Sequence, residues 1–254
     1  MNIISLHSAP RSGSTWIQTI FEADKNTKTF YQPLFSYKFK NVIDINSTKD
    51  DFDKFIIELK DTEDEFCRMK SDYHTNNGEC NQIDFKNKDD IKNIFIKNVH
   101  HHYLIEKFIQ LCPTIKIICL IRDPYATIYS QMNSKEKLKD WLNGTDKNGG
   151  KSENYFGFNK WKELKDLFYR LKEKYPDNVM VISYEEIVDQ TEMKVKEICQ
   201  FCNIEFTHEM KVMIDELSSK EESYDYSVFR QKENINKNRN KLDEEIKDYI
   251  ASRL

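Results

Sequence analysis

Ile115-Lys116-Ile117-Ile118-Cys119-Leu120-Ile121 is apolar at every position but one. A strand with one wet face alternates, so a near-continuous apolar run marks a parallel strand covered on both faces. Three shorter runs read the same way: Ile3 to His7, Asn93 to Lys97, and Asn178 to Ser183. Between and after them the apolar spacing is helical. Helices are expected from Thr15 through Phe21, through Leu104, Phe108 and Leu111 up to Pro113, from Pro124 through about Met132, over 156–174, 191–203 and 207–218, and over about 242–253. Strands that alternate with helices imply right-handed crossovers. The expected class is therefore α/β, a three-layer sandwich with a central parallel sheet, built as one domain over 1–254.

Composition narrows the partners. A formal net charge of −4 argues against a general nucleic-acid binder, so any anion site must come from local arrangement. No stretch has the length of a transmembrane helix, and a strand that starts two residues after Met1 leaves no room for a removable leader. A soluble, cytoplasmic protein is expected, with no oligomeric state assigned. The six cysteines are scattered, and Cys199-x-x-Cys202 lies in an amphipathic helical pattern without a second pair at zinc spacing. These thiols read as reduced core residues, which suits a cytosolic setting.

The first strand breaks into Ser8-Ala9-Pro10-Arg11-Ser12-Gly13-Ser14-Thr15-Trp16, and a helix follows at once. A strand, a compact loop and a helix N-terminus together cradle a phosphate, because the first helical N–H groups have no internal partners. Against the nucleotide-triphosphatase pattern G-x-x-x-x-G-K-[ST], Gly13 and Thr15 fit. Ser8 stands for the first glycine and Ser14 for the lysine, while the cation has moved to Arg11. That departure points away from ATP hydrolysis.

A second segment, Ile121-Arg122-Asp123-Pro124 through Ser130, follows the strongest strand. Ligands of open parallel sheets bind at the carboxyl ends of strands. Arg122 and Ser130 are thus expected to approach one anion at the mouth of the sheet. Arg122-Asp123 also suits a helix cap, with an acidic residue near the helix start.

Taken together, Pro10-Arg11-Ser12-Gly13-Ser14-Thr15-Trp16 and Arg122-Asp123-Pro124…Ser130 resemble the family of sulfotransferases that use 3′-phosphoadenylyl sulfate (PAPS). Two further segments are similar to family motifs: Val179 through Tyr184-Glu185-Glu186-Ile187, and Ile94-Phe95-Ile96-Lys97…His100. The resemblance covers roughly 3–21, 94–132 and 155–190, and it implies the P-loop-like sulfotransferase fold.

Carried over residue by residue, it implies that Arg11 and the amides of Ser12 to Thr15, with Pro10 and Gly13 shaping the loop, hold the 5′-phosphosulfate. The Ser14 and Thr15 hydroxyls add donors. Trp16 stacks on adenine and Tyr184 faces it. Arg122 and Ser130 hold the 3′-phosphate, and Arg230, in a segment only loosely similar to the family's, is a second ligand. The product is 3′-phosphoadenosine 5′-phosphate (PAP), and no metal is required. Lys97 and Arg11 act at the reacting centre with a general base. His100 lies nearest the family's position, but the spacing from lysine is one residue longer than usual. His101, or a carboxylate from 30–93, therefore stays open as the base.

The loop form Pro-Arg-Ser-Gly-Ser-Thr looks more like that of carbohydrate and bacterial-type members. The acceptor is then a hydroxyl of a carbohydrate, glycolipid or small metabolite, with 30–93 and 134–154 as substrate-side insertions. In the first of these, Phe30-Tyr31-Gln32-Pro33-Leu34-Phe35 reads as exposed aromatics. Consecutive side chains diverge, so His100, His101 and His102 are not expected to share a metal. Trp161 and Trp141 read as packing residues. Two other readings remain: a P-loop small-molecule kinase using ATP–Mg²⁺, and a nucleotide-binding protein that has lost catalysis.

Overall fold

The computed structural model describes residues 1–68, 90–133, 157–219 and 241–254. Five strands form one fully parallel sheet: β1 (Asn2–Ser8), β2 (Thr27–Tyr31), β3 (Asn93–Asn98), β4 (Lys116–Ile121) and β5 (Val179–Ser183). Their order is β2-β3-β1-β4-β5. The chain first moves outward from β1 to β2, returns through β3, and then crosses to β4 and β5. The switch point of the topology thus falls at the carboxyl end of β1, which is where such sheets bind ligands.

The helices are α1 (Ser14–Glu22), α2 (Lys49–Lys60), α3 (Ile105–Leu111), α4 (Pro124–Met132), α5 (Phe158–Lys174), α6 (Tyr184–Asp189), α7 (Thr191–Phe201), α8 (His208–Ser219) and α9 (Glu244–Ala251). Short 3₁₀ turns cover Pro33–Phe35 and His102–Leu104. The side-chain period of two sorts the sheet into two faces. Ile4, Leu6, Phe95, Ile118, Leu120 and Ile182 pack with α1, α6, α7 and α8. Ile94, Ile96, Ile117, Cys119 and Val179 pack with α2, α3 and α5 on the other side. This is the expected three-layer arrangement, and the apolar runs exist because both faces are covered.

The expectation for 30–35 needs correction. Phe30 and Leu34 are core residues, and of the aromatics there only Phe35 is exposed, at 52%. Phe30 belongs to β2, an edge strand whose register pairs Phe30 with Ile96 and Tyr31 with Lys97. The β-branched and aromatic run Thr27-Lys28-Thr29-Phe30-Tyr31, closed by Pro33, was the available signal. α2 begins on a capping box between Thr48 and Asp51 and buries Phe52, Phe55, Ile56 and Leu59. Cys199 and Cys202 are buried free thiols of α7 and its C-cap, and burial raises both pKa values.

Candidate active site

The loop between β1 and α1 turns twice through left-handed backbone, at Arg11 (φ 67°) and Gly13 (φ 86°). Gly13 answers a close approach as well as a dihedral. A Cβ there would lie 2.4 Å from Cε2 of Tyr184. α1 has no side-chain N-cap, so its first turn presents backbone amides and the positive end of its dipole at the switch point.

Three residues at the end of β4 and on α4 lock the loop from below. Arg11 Nε donates to Ser130 Oγ at 3.0 Å, Arg122 Nη1 donates to the Arg11 carbonyl at 2.9 Å, and Gln131 Nε2 donates to the Pro10 carbonyl at 3.0 Å. Arg122 and Ser130 therefore do converge, and Arg11 is the residue that joins them. Arg122 is itself held on several sides. Its carbonyl accepts from Trp161 Nε1, and its guanidinium sits 4.7 Å from the Tyr184 ring centre. Glu185 ties the ends of β4 and β5 together by accepting from the Asp123 amide and the Ser183 hydroxyl. Asp123 also caps α4 by accepting from the Ala126 amide, which is the capping arrangement expected for Arg122-Asp123.

The loop has a further cation that spacing alone did not place. Lys97, the fifth residue of β3 and only 3% exposed, donates from Nζ to Thr15 Oγ1 at 2.5 Å and lies 4.4 Å from the Tyr31 ring centre. Burial, and then the Arg11 charge, push its pKa down to about 7. Neither Lys97 nor Arg122 has an ion-pair partner among the described residues.

Trp16 and Tyr184 lie against each other behind the loop. Both are buried, at 1% and 3%, and meet edge to face with ring centres 6.0 Å apart. Tyr184 covers Gly13, and Trp16 packs into the core beneath it.

The three histidines part as their sequence adjacency requires. His100 stacks on Phe35 with centroids 5.2 Å apart, His101 lies edge-on to Tyr103, and His102 turns inward onto His7. No cluster of metal-ligating side chains occurs among the described residues. Phe35 continues an aromatic arc through Phe66 to Tyr31 and hence to Lys97. Arg230, Trp141 and the 134–154 segment lie outside the described residues.

The model of the Sulfotransferase family matches residues 4–208, which spans every element just described from β1 to the start of α8. The chain belongs to the sulfotransferase family. Solved sulfotransferase-fold structures agree on the architecture. Mouse sulfotransferase SULT7A1, complexed with PAP, is 16% identical with a TM-score of 0.56, covering 99% of this chain and 81% of its own. Retinol dehydratase in complex with androsterone and inactive cofactor PAP is 14% identical with a TM-score of 0.55, covering 98% and 78%. Sulfotransferase STF9 from Mycobacterium avium is 12% identical with a TM-score of 0.50, covering 99% and 76%. No curated protein matches the chain significantly in sequence.

Within this sulfotransferase the polar atoms left unsatisfied are informative. Among the described residues, Ser8 Oγ, Ser12 Oγ, Trp16 Nε1 and Arg122 Nε, in or beside the loop, are buried without a hydrogen-bond partner, as are Gln32 Oε1 and Thr127 Oγ1 elsewhere. A buried unsatisfied group costs about 1–3 kcal/mol, so such atoms gathered at one loop suit a ligand that completes them. Positive charge at a helix N-terminus suits an anion there.

Proposed function

We propose that this sulfotransferase moves a sulfuryl group from PAPS to a hydroxyl of a carbohydrate, glycolipid or small-metabolite acceptor. The observation that carries the reading is the convergence on Arg11, which bonds Ser130, is held by Arg122, and lies beside the buried Lys97. Two of the solved relatives named above hold PAP, the nucleotide such a reaction leaves.

PAPS would supply an activated sulfuryl group whose departure leaves charge on the 5′-phosphate. The loop amides of Ser12 to Thr15, the Ser14 and Thr15 hydroxyls, Arg11 and Lys97 would hold that phosphate and stabilise its growing charge, with Pro10 and Gly13 setting the loop's course. Removing one preorganised donor of this kind costs about 3–4 kcal/mol of barrier. Arg122 and Ser130 would hold the 3′-phosphate, and Arg230 is proposed as its second ligand. Tyr184 and Trp16 support the loop from within.

His100 would take the acceptor's hydroxyl proton as the oxygen attacks in line, a role worth about 10²–10⁴-fold. Its stacking on Phe35, in the arc that ends at Lys97, favours it over His101. The rings of Phe35, Phe66 and Tyr31 suit the face of a sugar or metabolite ring. They make 30–93, with 134–154, the proposed acceptor side of a single domain over 1–254.

Calorimetric titration with PAP against ATP–Mg²⁺, followed by transfer from labelled PAPS to a panel of sugars, glycolipids and phenols, tests the reading. Tight PAP binding with transfer supports it. Preference for ATP–Mg²⁺ would make the chain a kinase, and PAP binding without transfer to any acceptor a non-catalytic binder. His100→Ala should lower turnover and leave PAP affinity unchanged.

A further inference from the structure

His7 is fully buried in the central strand, and no role proposed above uses it. Its Nε2 meets Ser5 Oγ at 2.9 Å and its Nδ1 meets His102 Nδ1 at 3.1 Å. Asn98 Nδ2 donates to Ser5 Oγ at 3.0 Å, so the hydroxyl is held between Asn98 and His7. One proton is shared along each His7 contact, and either tautomer of His7 keeps both its ring nitrogens paired, one to Ser5 and one to His102. The groups that perturb His7 are burial and His102. Those that perturb His102 are burial, the Val99 carbonyl, His100 and His101, and no carboxylate is among them. The edge of the Phe168 ring on α5 covers His102 from outside the sheet. Both rings are therefore held neutral.

The pair spans two segments that the site needs in register. His7 directly precedes Ser8, where the loop begins. His102 closes the turn that follows β3, a turn that carries His100 and reverses at left-handed His101 (φ 58°). A non-glycine residue in that conformation persists only where its surroundings hold it. The inward bond of His102 to the central strand is such a hold.

We propose that the His7–His102 bond anchors the turn after β3 to the donor-loop strand, which makes His102 a positioning residue for His100. The catalytic part of this inference rests on His100 acting as the base.

His102→Asn and His102→Phe separate positioning from bulk stability. Asparagine sets an amide near the place of Nδ1 and can pair with His7 Nδ1 as donor or acceptor. Phenylalanine keeps the ring and leaves His7 Nδ1 without a partner. H102F should lower kcat roughly tenfold or more with PAP affinity within about twofold, and H102N should recover most of it. The imidazole titration of His100, followed by NMR, should shift in H102F and return in H102N. His7→Leu, apolar enough for a buried strand, breaks the same link from β1 and replaces H102F if that variant does not accumulate. Equal turnover in H102F and H102N, or a loss that falls equally on PAP affinity, would overturn the proposal. Unchanged turnover in His100→Ala would remove the base assignment alone, and the NMR comparison would still decide whether His102 positions the turn.

Discussion

The Lys97 ammonium stands 2.5 Å from the Thr15 hydroxyl, although 82 residues separate the strand position from the helix position. The pairing returns to the loop the cation that Ser14 does not supply. It also places a buried amine, with a pKa near 7, beside the site proposed for a phosphate.

Nucleotide binding should therefore take up a proton. At pH 8 most of Lys97 is neutral, and PAP phosphates, with second pKa values near 6, are already ionised. An adjacent anion favours the ammonium form, so binding should draw close to one proton from buffer. Calorimetry in buffers of different ionisation enthalpy measures this directly. Lys97→Met should abolish the uptake and weaken PAP binding by roughly tenfold or more, the worth of a hydrogen bond to a charged group. Binding enthalpies that are the same in every buffer would count against the assignment.

Gly13→Ala should damage the loop twice over. Alanine is strained at φ 86°, and its methyl would meet the Tyr184 ring at 2.4 Å. Thermal unfolding should show a loss of about 1–3 kcal/mol, with PAP binding falling further than stability. Tyr184→Ala in the same background should recover part of the stability by making room.

Arg122→Ala should weaken PAP binding by roughly 10- to 100-fold while Tm changes little. It removes both a charge and the donor that fixes the Arg11 carbonyl. Arg122→Lys should recover only part of the affinity, because an ammonium lacks the planar fork that reaches two partners. Equilibrium binding of the three proteins at two salt concentrations tests the order.

Acid should destabilise the protein through the buried imidazoles. His102 titrates near 4 in the folded state against 6.5 for a free histidine, and burial also lowers the pKa of His7. Between those values the unfolded chain binds more protons, so stability falls as pH drops from about 6.5 toward 4. The His102 contribution is on the order of 3 kcal/mol. Urea unfolding of wild type and H102N at pH 7 and pH 5 should show a smaller pH dependence in the variant.

Much of the architecture is legible in the sequence because burial on both sheet faces forces apolar runs, and β1, β3, β4 and β5 each carry one. β2 is harder to see. It is an edge strand, and its signal is a β-branched run through Thr27, Lys28 and Thr29 in place of an apolar one. α6 is hidden for another reason. It follows β5 without a linker, with Ser183 as its N-cap, so the change of period falls inside the segment Val179 to Ile187.

The site divides along the same line. Arg11, Gly13, Thr15, Arg122 and Ser130 stand out in the sequence because phosphate binding at a strand end demands local types: glycine for a left-handed turn, hydroxyls and amides at a helix start, and arginine at the next strand end. Adjacency also requires the three consecutive histidines to diverge. Partnership was decided by the fold. Lys97 reaches Thr15, Arg11 bridges Ser130 and Arg122, and Tyr184 seals Gly13 only because parallel strands bring their carboxyl ends to one level. The same stacking buries Trp16 and turns His102 inward onto His7. Local patterns specify which groups can bind an anion, and the register of the sheet determines which of them meet.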